Sequence, residues 1–230
     1  MKVVFTENKG VSHARNLGAL YAKGEYLLFI DDDDLIDINY LKESIEILNE
    51  NKDICLVYSY SKRFGLENKI WKIKEFSYLN LLKVNCFYVS CVIRTKDFIK
   101  SDKFNEKMDL GLEDWDFWIN FLKDKQKVYR INKVMFFYRI KNRSRTTDLI
   151  SNETSIIEMY KKIYVKNKDI YDKEKISEEL FLNDIFFKSK KNVLVFKKLK
   201  YLFYSLKVLI INKINNTLRI KFLYGVEKSV

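Results

Sequence analysis

The run Glu25-Tyr26-Leu27-Leu28-Phe29-Ile30, followed at once by Asp31-Asp32-Asp33-Asp34, narrows the possible folds more than any other stretch of the chain. After Glu25 it has no polar face to offer water, which predicts a strand buried on both faces of a largely parallel sheet. The flanking residues alternate in character. Residues 2–6 read as a short β-branched and aromatic strand, and Glu7-Asn8-Lys9-Gly10 as a turn. Ser12 is placed to cap a helix over residues 13–23, with Gly24 where a left-handed C-cap is expected. Asp37 caps a second helix to Asn49, with Leu41, Ile45 and Leu48 on one face, and residues 54–60 form a further strand. Strand, helix, strand, helix, strand is the α/β signature.

Downstream, residues 87–94 read as a strand and 103–112 as a loop. Residues 113–122 read as a helix with Trp115, Trp118, Ile119 and Leu122 inward, and 128–140 as strand-like aromatic runs. Beyond residue 151 the pattern turns helical and basic, which places a boundary near 147–152. A core over 1–150 and a basic helical extension over 151–230 follow.

Four successive carboxylates repel one another, and no fold requires them. They form either a solvated acidic turn or a binding site. Their place at the carboxyl end of a buried strand favours a site, since ligands of open α/β sheets bind there. Alternate residues of an extended chain face opposite ways, so Asp31 and Asp33 share one side. Such a pair suits a hard divalent ion, Mn²⁺ or Mg²⁺, which leaves room for phosphate oxygens.

Asn8, Gly10, Ser12, Ala14, Arg15, Asn16 and Gly18 stand in the pattern N-x-G-x-S-x-A-R-N-x-G, followed after a short gap by the apolar run and D-x-D-D. Over residues 2–147 the chain resembles family-two glycosyltransferases of the GT-A fold. The resemblance implies a mixed sheet flanked by helices. It also implies donor binding by Arg15, Asp31, Asp32 and Asp33, with Asp31 and Asp33 contacting the metal and Asp34 at the adjacent acidic position. Arg15 read by itself is equally a helix-surface residue. Asn8, Gly10 and Asn16 shape the turn and helix start, and His13 is a surface residue.

Glu113-Asp114-Trp115-Asp116-Phe117 matches the family's E-D-x-x motif. The match implies Asp114 as general base of an inverting enzyme, with Glu113 and Trp115 on the acceptor side. Alone, the acidic pair favours a helix N-terminus through the macrodipole. Tyr138-Arg139-Ile140-Lys141-Asn142-Arg143-Ser144 resembles a Tyr-Arg-x-His-x-x-Ser element, with Lys141 where relatives carry His. Lys141, Arg143 or Arg145 are candidates to meet a diphosphate as cations, and a solvated basic loop is the other reading.

The fold of this family opens with a strand, loop, helix and strand that the resemblance does not find here, so an incomplete GT-A core with impaired nucleotide binding is expected. The implied partners are a nucleotide-diphosphate sugar, such as a UDP-sugar, and a glycan or lipid-linked acceptor in bacterial surface polysaccharide synthesis. An inactive remnant serving as a partner-binding module is the alternative. The net charge of +12 raises nucleic acid as a ligand, but the core carries an acidic tetrad and no nucleic-acid motif. Much of that charge lies in residues 192–230, with seven Lys and one Arg against one Glu. There Leu199, Leu202, Phe203, Leu206, Leu209 and Ile210 recur at helical spacing opposite Lys197, Lys200 and Lys207. This amphipathic helix suits either peripheral contact with an anionic membrane or packing on the domain. Cys55, Cys86 and Cys91 have no CxxC spacing and read as packing residues of a reduced setting. No apolar h-region follows Met1, so a cytoplasmic chain, peripheral at the inner face of the membrane, is expected.

Overall fold

A computed structural model of the chain describes residues 3–71, 73–124 and 127–188. The helix carrying the first motif, α1 (Val11–Tyr21), leads into β1 (Tyr26–Leu28), the aspartate turn and β2 (Leu35–Ile36). Then come α2 (Tyr40–Glu50), β3 (Ile54–Gly65), β4 (Lys69–Trp71) and α3 (Tyr78–Leu81). Next are β5 (Val92–Arg94), α4 (Thr95–Lys100), α5 (Glu113–Phe121) and β6 (Lys127–Ile140). The described residues end with α6 (Arg145–Ser151), α7 (Glu153–Lys166), α8 (Lys168–Lys173) and α9 (Glu178–Lys188).

The sheet is mixed, in the order β1-β5-β3-β6-β2, with β4 beside β3. Among the described strands, β3 and β6 alone run parallel. Ile54 to Ser59 of β3 are buried without alternation, as befits a central strand covered on both faces. Parallel β6 tracks β3 from Ile54 to Gly65, with register shifts around Tyr60. Its Phe136 and Phe137 pair antiparallel with β2. That pairing carries Tyr138–Ile140 alongside the aspartates.

One packing cluster joins Tyr40 and Leu48 of α2 to Ile54, Val57, Val92, Ile131 and Met135. A second is aromatic. Phe29 packs on Phe98 at 5.3 Å and on Phe104 at 5.0 Å, and Phe104 stacks on Phe117 at 4.4 Å. The end of β1 is thereby tied to α5, and each such ring pair adds about 0.5–1.5 kcal/mol beyond its buried area.

The mixed, helix-flanked sheet agrees with the sequence expectation, but several elements differ. The strand expected over 25–30, buried on both faces of a largely parallel sheet, is confined to Tyr26–Leu28, of which Leu27 is buried. Among the described strands β1 lies at the end of the sheet order and pairs with β5, antiparallel, and Ile30 is exposed. An apolar run cannot reveal which neighbours it will find. Residues 3–6 form no strand, and Phe5 is 94% exposed. An extended segment becomes a strand only when a neighbour takes its N–H and C=O groups. The residue ahead of α1 is Gly10, not Ser12, and the Ser12 hydroxyl is buried without a hydrogen-bond partner. Gly24 is not left-handed, because α1 stops at Tyr21 and Ala22 is already extended. α2 is turned by about one residue from expectation: Tyr40, Ser44 and Leu48 are its buried positions, and Leu41 is 41% exposed. The strand expected over 87–94 is confined to Val92–Arg94. The amphipathic helix of residues 199–210 lies outside the described residues.

Candidate functional site

The site grows from the turn after β1. Asp34 N–H donates to Asp31 C=O at 3.1 Å, closing a tight turn. The extended-chain alternation expected of the aspartates therefore does not apply, and Asp31, Asp32 and Asp33 all line one cleft of about 670 Å³. Asp34 turns inward instead, 7% exposed, and accepts from Arg139 N–H at 2.9 Å. Burial first, then Asp33 and Asp31, push its carboxyl up to about 6 against the Arg139 hydrogen bond. Arg139 Nε also donates to Asp33 C=O at 2.9 Å, so β6 and the turn are laced together twice.

α1 supplies the next wall. Asn8 accepts from Gly10 N–H at 3.2 Å, and Gly10 has a φ of +88°, which only glycine adopts cheaply. Asn16 exchanges two hydrogen bonds with the Phe104 backbone, at 2.9 and 3.0 Å. These residues shape the backbone, and His13 pairs with Glu106 away from the cleft. Arg15 faces the other way and is buried. Its Nη2 lies 2.7 Å from Asp31 Oδ1 and its Nη1 2.6 Å from Glu113 Oε1. Burial opposes its charge, but Asp31 and Glu113 outweigh burial and hold the guanidinium pKa above its usual value.

α5 brings the second motif. Gly111, at φ +138°, and Leu112, at φ +62°, turn the chain sharply into it. Glu113 is 2% exposed, and Arg145 Nη2 reaches the same Oε1 at 2.7 Å. It thus joins two arginines behind the cleft wall. Asp114 is partly exposed. Its Oδ2 accepts from Asn85 Nδ2 at 3.1 Å and its Oδ1 from Trp115 N–H at 2.8 Å. Burial and the neighbouring Glu113 raise the Asp114 pKa, while Arg15 opposes the rise. A carboxylate poised toward neutral pH is suited to accept a proton. Trp115 points inward, donates to Leu81 C=O at 2.6 Å and is 3% exposed, which takes it out of the cleft.

The basic strap after β6 closes the far side. Lys141 Nζ sits 2.5 Å from Asp33 Oδ2. Arg139, Arg143, Ser144 and Arg145 line the cleft beside it, and Arg143 also pairs with Asp148. The structure thus brings Arg15, Asp31, Asp32, Asp33, Lys141 and Arg143 to one cleft; Glu113 is bonded to it through Arg15, and Asp114, the next residue, is not among the residues lining it. Sequence reasoning missed Asn85, which lies in an irregular stretch with no periodic signal, and Arg139, whose role depends on the β6 register.

The glycosyl transferase family 2 description matches residues 1–121, more than half of the chain. The chain belongs to glycosyl transferase family 2. Among its relatives, the uncharacterized glycosyltransferase MJ1057 of Methanocaldococcus jannaschii is 25% identical over 98% of this chain and 74% of its own length. The Escherichia coli UDP-Glc:alpha-D-GlcNAc-diphosphoundecaprenol beta-1,3-glucosyltransferase WfaP is 28% identical over 57% of this chain and 52% of its own length. Residues 1–349 of S. aureus TarS, crystallised with UDP-GlcNAc, superpose with a TM-score of 0.62 at 21% identity, covering 82% of this chain and 56% of that one. The family 2 chain thus has the GT-A fold and spans about half the length of WfaP and of that TarS chain.

Family 2 enzymes commonly use a divalent metal. The donor set here does not form such a site. One oxygen of Asp31 and one of Asp33 already meet a side-chain cation, and Asp34 is turned away. Among the described residues, no group of three or more His, Cys, Asp or Glu side chains is arranged to hold a metal ion.

Proposed function

We propose that this family 2 protein transfers a sugar from a nucleotide-diphosphate donor, a UDP-sugar being one candidate, to a hydroxyl of a glycan or lipid-linked acceptor. The observation that carries the reading is the Arg15 bridge, which joins Asp31 of the cleft to Glu113, the residue next to the raised-pKa carboxylate Asp114 at the start of α5. The diphosphate occupies the cleft between Asp31–Asp33 and the basic strap. Asp114 takes the proton of the acceptor hydroxyl as its oxygen bonds to the anomeric carbon. The bond from that carbon to the diphosphate oxygen breaks on the opposite face, and its electron pair leaves with the diphosphate. A single displacement of this kind inverts the anomeric centre. Lys141, Arg143 and Arg145 answer the charge that collects on the leaving group.

One relative is the minor teichoic acid biosynthesis protein GgaB of Bacillus subtilis, and WfaP is named for transfer to a diphosphoundecaprenol-linked sugar; surface polysaccharide synthesis is the proposed setting here. None of the described helices is long and apolar enough to cross a membrane. Contact with the inner face of a membrane through residues 199–210 is proposed from sequence alone.

A donor-hydrolysis and transfer assay over a panel of nucleotide sugars tests the function. Asp114→Asn is expected to lower kcat by about 10²–10⁴-fold with donor affinity kept, the usual worth of a general base. In the unsubstituted protein, kcat/KM should fall as pH drops through a value above the ordinary aspartate range, because the base must be ionised. Full turnover by Asp114→Asn would exclude the assignment.

A further inference from the structure

Divalent cations bind where oxygen donors converge with negative charge left unanswered. At the tip of β1 two of the three cleft aspartates already meet a cation. Arg15 lies 2.7 Å from Asp31 and Lys141 2.5 Å from Asp33. Five cationic side chains line the cleft (Arg15, Arg139, Lys141, Arg143 and Arg145) against the three carboxylates Asp31, Asp32 and Asp33. Buried Glu113, behind Arg15 and Arg145, adds one further negative charge. Asp148, paired with Arg143, and Asp34 beneath the turn add two more, so the cations of the cleft and the carboxylates around them are close to balanced before any ion arrives.

We infer that this chain neutralises the donor diphosphate with its own side chains, Lys141 standing against Asp33 where a divalent ion would bind, and that donor binding needs no metal. The inference rests on the nucleotide-sugar reading above. An ammonium suits the task because it is a compact charge with three N–H donors. Lys141 can keep one hydrogen bond to Asp33 and direct the others to phosphate oxygens. Arg143 pairs with Asp148 only at the exposed surface, an interaction weak enough to exchange for a phosphate. Asp31 and Asp33 then act as positioning residues that hold Arg15 and Lys141 toward the ligand.

Calorimetric titration of the full chain with UDP, GDP, ADP and inorganic pyrophosphate in EDTA, with the nucleotides repeated in Mg²⁺, tests this. Free Mn²⁺ is followed separately by its paramagnetic resonance signal. Nucleotide affinity should differ by less than about threefold between EDTA and Mg²⁺, and Mn²⁺ alone should find no site. Lys141→Ala should weaken binding in EDTA by about tenfold or more, the worth of one hydrogen bond to a charged group, with Lys141→Arg keeping most of it. Lys141 is half-exposed, so an unchanged Tm should show that both variants fold. Binding that appears only with Mg²⁺, or a Mn²⁺ site removed by Asp33→Asn, would overturn the inference and leave the transferase reading standing. Failure of every ligand to bind under either condition would remove the transferase reading, and this inference with it.

Discussion

Asp34 is the residue whose environment departs furthest from what its neighbours imply. The three aspartates before it line the cleft, whereas Asp34 is buried and spends its carboxylate on the Arg139 backbone. Its pKa of about 6, against an ordinary 3.8, means that the native state prefers the protonated form. The sign follows: its contribution to stability is fully present below about pH 4, is lost as pH rises to about 6, and is level above that. Asp34→Asn keeps an oxygen for Arg139 N–H and removes the charge. It should raise stability at pH 7 by about 1–2 kcal/mol and flatten the dependence between pH 4 and 6. Urea unfolding of both forms at pH 4.5 and 7.5 would measure it, and equal differences at the two values would reject the charge as the cause. The sequence revealed the cluster because four carboxylates in a row are improbable without a purpose. It did not reveal the division of labour, because a turn and an extended strand orient the same four side chains differently.

Elements were legible where periodicity and capping agree, and less so where the outcome depends on a distant neighbour. The α5 helix and the β6 strand lie close to their expected bounds, since their aromatic and apolar residues repeat strongly. The edge position of β1 and the roll of α2 are set by contacts with β5, β3 and β6, which no local pattern encodes. The entry to α5 is a similar case. Gly111 has a φ of +138°, and a Cβ built there would lie 2.9 Å from Leu149 Cδ2 of α6. Backbone strain and steric overlap therefore coincide one residue before a left-handed Leu112. Gly111→Ala should cost about 2–4 kcal/mol and move the start of α5, which carries Asp114. A lowered urea midpoint with unchanged slope would register the first effect, and a reduced kcat at unchanged donor affinity the second. A variant as stable as the parent would mean that the turn is not as tight as described.

At the scale of the molecule, the helices after residue 150 complete the core that holds α5. Trp115 of α5 packs on Tyr160 and Phe181. Asp116, with no exposed surface, accepts from Lys166 Nζ at 2.7 Å and Asn167 Nδ2 at 3.0 Å. Met159, Ile163, Tyr171, Phe181 and Leu182 are all buried in this layer. Each fully buried large side chain contributes roughly 1.5–3 kcal/mol of burial free energy, and an ordinary fold is only marginally stable, so losing this layer is expected to be severe. Composition places a boundary near residue 150 because the chain becomes basic there, but that charge does not report what the inner faces of these helices cover. A chain ended after residue 150 should therefore lose the cooperative unfolding transition and bind hydrophobic dyes, because Trp115 and the Asp116 carboxylate lose their cover. A chain ended after residue 188 keeps every contact named here and should melt cooperatively. If the shorter chain melts as sharply as the longer one, α5 is held by the sheet and the aromatic stack alone, and the later helices are an appendage to a self-sufficient transferase core.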